Sequence, residues 1–157
     1  MNPYAIGLVA GLTATVVVSM LMIINSAVGI VPGVDVISLL AGLGHAYLGL
    51  APSPALGWAL HFLIGTVLWG LSFTFLRSSL PGGGDVANGI IFSIGVWVLL
   101  MLIAMPLMAA DWIVLNVGMA APVATLLLHL IFGAVLGTTH ARLWADAVMP
   151  ARSSAAH

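Results

Sequence analysis

Four stretches of the chain, residues 4–24, 55–76, 89–108 and 121–141, contain no Asp, Glu, Lys or Arg. Each approaches the roughly 20 apolar residues that a helix needs to cross about 30 Å of hydrocarbon. A backbone lying in lipid satisfies its N–H and C=O groups only within a helix or a closed barrel, and apolar runs this long belong to helices. The expected fold class is therefore all-α: a polytopic membrane protein with four transmembrane helices forming one bundle, a single transmembrane domain over residues 1–157.

The charge balance excludes the soluble alternative. A water-facing domain is about 25% charged, whereas this chain is 4% charged and 62% hydrophobic, with three Arg, four Asp, and neither Lys nor Glu. A net charge of −1 offers no basic patch, which excludes a nucleic-acid partner. The expected partners are the lipid bilayer and, for so small a chain, other membrane-protein subunits or further copies of itself. With no cysteine there are no disulfides, thiolate nucleophiles or Cys-ligated metals. The first stretch lacks a basic flank and a small-residue cleavage site, so it reads as a retained helix.

Proline and glycine punctuate the spans: Pro52 and Pro54 before the second, Pro81-Gly82-Gly83-Gly84 before the third, and Pro122 at the fourth. Residues 34–50 form an apolar run too short to cross. A short helix is expected there, interfacial or re-entrant, where neighbouring protein must satisfy its backbone. Arg77–Asn88 reads as a polar turn and the residues after Trp144 as a frayed tail. Arg77 follows the second span, and Arg142 and Arg152 the fourth. The positive-inside rule then puts both termini in the cytoplasm. Tyr4, Trp58, Trp112 and Trp144 near the span ends suit an aromatic belt.

The run Leu60-His61-Phe62-Leu63-Ile64-Gly65 is echoed by Leu128-His129-Leu130-Ile131-Phe132-Gly133, 68 residues later (129 − 61). The echo implies a duplicated helix pair with a pseudo-twofold axis along the membrane normal. Small residues also recur every four positions: Gly7, Gly11, Thr15 and Ser19 in the first span, Gly57 and Gly65 around His61 in the second, and Thr125, Gly133 and Gly137 around His129 in the fourth. This spacing stacks side chains on one helix face, and small ones there let backbones approach in lipid. Gly7, Gly11, Gly65, Gly133 and Gly137 are thus the expected packing positions.

His61 and His129 lie ~9 Å and ~12 Å from the outer ends of their helices by rise per residue. Titratable side chains at such depth face the bundle interior and draw a functional hypothesis. Two neutral imidazoles on facing helices could bind a b-type haem as axial ligands, with Met101 and Met105 as alternative ligands. The bland reading is structural: hydrogen bonds to Asn25, Thr125 or a backbone carbonyl. Contact with a quinone, lipid or pigment is a third reading. His45 is expected at the outer surface near Asp35, His140 at the interface beside Arg142, and Trp69 and Trp97 at a common depth where they could pack together.

No span carries the carboxylate that proton-coupled transport usually needs. Ser72 and Ser93 lack a Gly-x-Ser-x-Gly setting, and the chain has no His-Glu-x-x-His motif and no phosphate-cradling loop. No catalytic constellation, and hence no enzyme, is expected. Three function classes remain: an accessory subunit of a larger membrane complex, respiratory or photosynthetic electron transfer included; a haem b electron-transfer protein using His61 and His129; and a small transporter or channel for a neutral solute.

Gly11-Leu-Thr-Ala-Thr, "GWALHFLIGTVLWGLSFTFL" and "VATLLLHLIFGAVLGTTHARL" resemble a family of small bacterial four-helix membrane proteins classed as a domain of unknown function. The chain is also similar to the YagU-like inner-membrane proteins. The resemblance covers roughly residues 5–143. It implies a bacterial inner-membrane location and the four-helix architecture, and it carries no catalytic residues.

Overall fold

A computed structural model describes residues 1–30, 35–104 and 120–153. Among these, every regular element is helical. α1 is Pro3–Val28, α2 Val36–Leu48, α3 Pro54–Ser79, α4 Asp85–Leu99 with a wider turn at Leu100–Ala104, and α5 Ala120–Ser153. Four helices are long and apolar enough to span a bilayer: Pro3–Val28, Pro54–Ser79, Asp85–Leu102 and Pro122–Ala147. The chain is an integral membrane protein of all-α, polytopic fold.

Local chemistry sets the helix ends. Asn2 accepts from the Ala5 N–H at 2.7 Å and Pro3 occupies the first turn, where its missing N–H costs nothing. Gly29 (φ 70°) ends α1 in the left-handed region, its N–H bonded to the Asn25 carbonyl. Asp35 caps α2 by accepting from both the Ser38 N–H and its hydroxyl. Those two donors hold the Asp35 carboxyl below the ordinary carboxylate range. Ser53 and Pro54 repeat the cap-plus-proline start at α3.

Several boundaries differ from expectation. α4 begins at Asp85 rather than near residue 89, because Gly84 is extended and Asp85 suits a helix N-terminus. The end of the expected third span, residues 105–108, lies outside the described residues, as does Trp112. α5 is not frayed after Trp144 but continues to Ser153. Within α3, residues Ile64–Trp69 form a π-helical stretch, which accommodates one residue more than an α-helix of the same rise.

α1 packs against both α3 and α5, α4 packs against α5, and α2 lies along α3. The core is built from Ala10, Ala14, Val18, Phe73, Phe92, Val96, Phe132 and Leu136. Polar groups are inside too: Thr15, Ser19, Ser93 and Thr125 are buried, whereas Met20 is 58% and Leu102 71% exposed. That inversion suits lipid as the solvent. Each hydroxyl of Thr15, Ser19 and Ser93 donates back to a carbonyl of its own helix, so burial leaves no donor unmet.

Glycine seams bring the long helices together. A methyl group added at Gly7 would meet the Thr74 side chain and the Gly70 carbonyl, and one at Gly11 the Thr66 and Gly65 carbonyls. Across α4 and α5, Gly89 and Gly133 each abut the other's carbonyl oxygen, and Gly137 abuts that of Asp85. Gly65 meets Thr15, and Gly133 meets Ser93, in the same manner. The packing glycines are thus spent on contacts within this one chain.

The expected short helix between α1 and α3 is present as α2. Gly57 of α3 abuts the Ile37 carbonyl, and Gly44 of α2 meets Leu56 and Leu60. α2 docks tightly along the start of α3.

Candidate functional site

The seams diverge toward the end of the bundle away from the termini, and a cavity of about 440 Å³ opens there. Its walls come from the second half of α1 (Thr15, Val18, Met22), from α2 (Val36, Leu40, Leu43), from α3 (His61 to Trp69), from the end of α4 (Val96, Leu99, Leu100) and from α5 (Thr125, Leu128, His129, Phe132). Both histidines therefore reach one chamber whose other walls are almost wholly apolar. The size lies in the range of sites for small organic molecules. Both π-helical stretches, Ile64–Trp69 and Leu100–Ala104, border it. Met101 does not line the cavity, and Met105 lies outside the described residues.

Hydrogen bonds fix both imidazoles. His129 Nδ1 lies 2.7 Å from the Thr125 carbonyl, which can only accept, so Nδ1 carries the proton. His61 Nε2 lies 3.0 Å from Ser19 Oγ, which also lies 2.7 Å from the Thr15 carbonyl, so Ser19 links the ring to its own helix with either partner as the donor. A charged imidazole in an apolar chamber is costly. The second nitrogen of each ring, Nε2 of His129 and Nδ1 of His61, has no hydrogen-bond partner among the described residues. Trp58 and Phe62 hold the His61 ring by edge-on contacts at 5.6 and 5.7 Å between centroids.

At the opposite end sits a cluster that sequence reading dispersed. Asp85 bridges Arg77 Nη1 at 2.9 Å and His140 Nδ1 at 2.8 Å. His140 does not project from the bundle beside Arg142: its side chain is fully buried, edge-on to Phe73 at 5.4 Å and stacked on Trp144 at 5.8 Å. Arg77 lies over the Trp144 ring at 4.2 Å, a cation–π contact. Asn88 ties the turn by donating to the Arg77 carbonyl and accepting from the Gly82 N–H. Asp85, expected in a polar turn, is instead the first residue of a helix long and apolar enough to span a bilayer. The signal was available: Asp85 and His140 both fall near the same membrane side.

Two further pairings fail. Asp35 and His45 sit at opposite ends of α2, and His45 instead approaches the Leu50 carbonyl at 3.0 Å. Trp69 packs against Phe92 at 6.1 Å, while the Trp97 N–H bonds Thr125 at 3.2 Å. Among the described residues no group of three or more His, Asp or Glu side chains could hold a metal ion.

A family model matches residues 1–149. The chain belongs to DUF6789, a family of unknown function. No curated protein and no solved structure matches it. The family supplies no ligand or activity, so any functional reading rests on the cavity and its two histidines.

Proposed function

We propose that the protein binds a small lipophilic molecule inside the membrane, in the cavity that His61 and His129 share. One observation carries this reading: two half-buried imidazoles, on different helices, line one apolar chamber of about 440 Å³. Well-packed interiors seldom hold voids larger than a water molecule. The reading assigns no catalytic step.

Native purification into nanodiscs, followed by solvent extraction and mass spectrometry, tests it. A lipophilic molecule should co-purify with the wild type and be lost from Leu128→Trp, which fills the chamber. Equal recovery from both proteins would place that molecule on the outer surface and sink the reading. The haem alternative needs an available nitrogen from each ring: His129 offers Nε2 and His61 Nδ1, so ligation would use a different nitrogen on each side unless the Ser19 bond breaks. The expected absorption spectrum has no Soret band; a band abolished by either His61→Ala or His129→Ala would establish haem instead.

The accessory-subunit reading has narrower support than the sequence suggested, since its small-residue faces are occupied internally. What favours it is the uncovered face of α4, where a methyl at Gly95 meets nothing and Ile94, Val98 and Leu102 are exposed. A stable co-purifying protein in gentle detergent is its test. Passage of a neutral solute would need the cavity to open at both membrane faces, and uptake into liposomes would report it.

Two structural proposals accompany the main one. Thr15 above Gly65 and Ser93 above Gly133 are matching contacts in the α1–α3 and α4–α5 pairs, which supports duplication of a helix pair. The arginine distribution supports cytoplasmic termini in a bacterial inner membrane, so the cavity would face the outer leaflet.

A further inference from the structure

Three sides of the bundle are closed by helices packed on one another: α1 on α3, α1 on α5 and α4 on α5. The fourth side, between α3 and α4, is different. Among the described residues these two helices are joined at the turn between them and by the Phe92 ring, 6.1 Å from Trp69 and 5.6 Å from Phe73. Past Phe92, toward the cavity, this side opens. Phe92, Val96 and Leu99 share one face of α4. The first two are 7% and 8% exposed, whereas Leu99 is 46% exposed. On α3, Leu68 is 50% exposed. Leu68 and Leu99 nevertheless both line the cavity. A side chain that borders a chamber and is also half exposed outside stands at its rim.

We infer that the cavity is filled sideways from the bilayer, by the hydrocarbon tail of a membrane lipid that slides between α3 and α4 past Leu68 and Leu99. This inference rests on the cavity-binding reading and adds the route and the chemical class. The rim belongs to two helices that span the membrane, so what meets it is the hydrocarbon of the bilayer, which is made of acyl chains. A chain of methylenes is slender and flexible enough to enter a slot between two helices end-on. Behind the rim it meets Val18, Val96, Leu128 and Phe132. Leaving the bilayer costs such a tail little, because lipid chains are as apolar as leucine side chains. Its gain is dispersion: a void leaves the side chains around it without partner atoms, and a tail supplies them.

The test uses the full chain in nanodiscs with two photoreactive probes: a phospholipid carrying a diazirine near the end of its tail, and a compact diazirine-bearing hydrocarbon without a headgroup. Labelled residues are mapped by fragmentation mass spectrometry. Val18, Val96 and Phe132 line the cavity and are 7%, 8% and 9% exposed, so a lipid on the outer surface does not reach them. The phospholipid tail should label all three. The chain has no cysteine, so Leu68→Cys and Leu99→Cys in one protein can be bridged selectively by a reducible bis-maleimide. Tail labelling of the three residues should be lost while the bridge is closed and return when it is reduced. Leu68→Trp, which narrows the gap without a bridge, should lower the same labelling. Labelling that is unchanged by both the bridge and Leu68→Trp overturns the route. Labelling by the compact hydrocarbon but not by the tail overturns the acyl-chain assignment and leaves the cavity reading standing. Labelling by neither overturns both.

Discussion

At the end of the bundle that carries both termini, backbones touch. Gly89 and Gly133 press carbonyl to Cα, Gly137 lies on Asp85, and Gly7 lies on Gly70. At the other end the same helices stand apart around a chamber of about 440 Å³. Both ends contain histidine, but in opposite circumstances. His140 is locked between an aspartate, a phenylalanine and a tryptophan, whereas His61 and His129 are each held on one side and open on the other. Equivalent residue types thus serve closure at one end and access at the other. The difference lies in what stands between the long helices: an ion-pair cluster and Gly89–Gly133–Gly137 contacts in one case, and among the described residues a mostly apolar cavity in the other.

Adding volume separates the two ends most sharply. Gly133→Leu sets a side chain against a neighbouring backbone that cannot rotate away. The expected loss is about 3 kcal/mol or more, seen as loss of monodisperse protein or a collapse of the unfolding midpoint in detergent. Leu128→Trp, one turn before Phe132 on the same helix, adds comparable bulk toward the cavity and should change stability by less than about 1 kcal/mol. If both substitutions cost the same, the cavity is not the open space described.

Removing charge gives the next largest effect. Asp85→Ala deprives both Arg77 and His140 of their partner. With Asp85 13% and Arg77 22% exposed, a loss of about 2 kcal/mol is expected. Asp85→Asn should recover part of it by keeping an acceptor for one neighbour. The corresponding change at the open end, Ser19→Ala, should cost under about 1 kcal/mol because His61 can turn toward the cavity. A larger loss for Ser19→Ala than for Asp85→Ala would reverse the assignment of rigid and open ends.

The smallest effect is one of pH, and it falls on α2, which walls the cavity. Asp35 has a carboxyl lowered in the folded chain by Ser38, from an ordinary value of 3.8. A depressed folded value contributes stability that is present above 3.8 and is lost as pH falls through the folded value. Amide exchange in α2 should accelerate a few-fold in that acidic window, while α5 stays protected. The side chain is largely exposed, so the effect is local. Asp35→Asn, which keeps a capping oxygen, should flatten the pH response.

Much of the architecture was legible because lipid leaves a backbone few choices. Four uncharged runs gave four spans, and the family match extends over nearly the same region. Four-residue spacing also located Gly11, Gly65 and Gly133. The same rule missed Gly70, which reaches Gly7 and Gly11 only because the π-helical stretch alters the phase of α3. No periodicity argument that assumes an unbroken α-helix could find it. His61 and His129 were singled out from their place along two uncharged runs, but their hydrogen-bond partners were not legible: these are the Ser19 hydroxyl on another helix and a backbone carbonyl. The burial of His140 was missed for a similar reason: it depends on Phe73, Asp85 and Trp144 arriving from three helices.

The π-helical stretch at Ile64–Trp69 also behaves as an angular coupling between two independent tools on one rod. His61 lies before it, and Phe73, Thr74 and Arg77 lie after it. Each residue of an α-helix turns the chain by about 100°. Because the stretch holds one residue more than an α-helix of the same rise, deleting one of its residues would let it close into an ordinary α-helix with His61 and Arg77 keeping their directions. A deletion in the regular helix after it, between Gly70 and Leu76, meets no such slack and would swing Arg77 away from Asp85 by about 100°. The stretch is thus spare length on the rod, the one place where the chain can be shortened without misaligning its two halves.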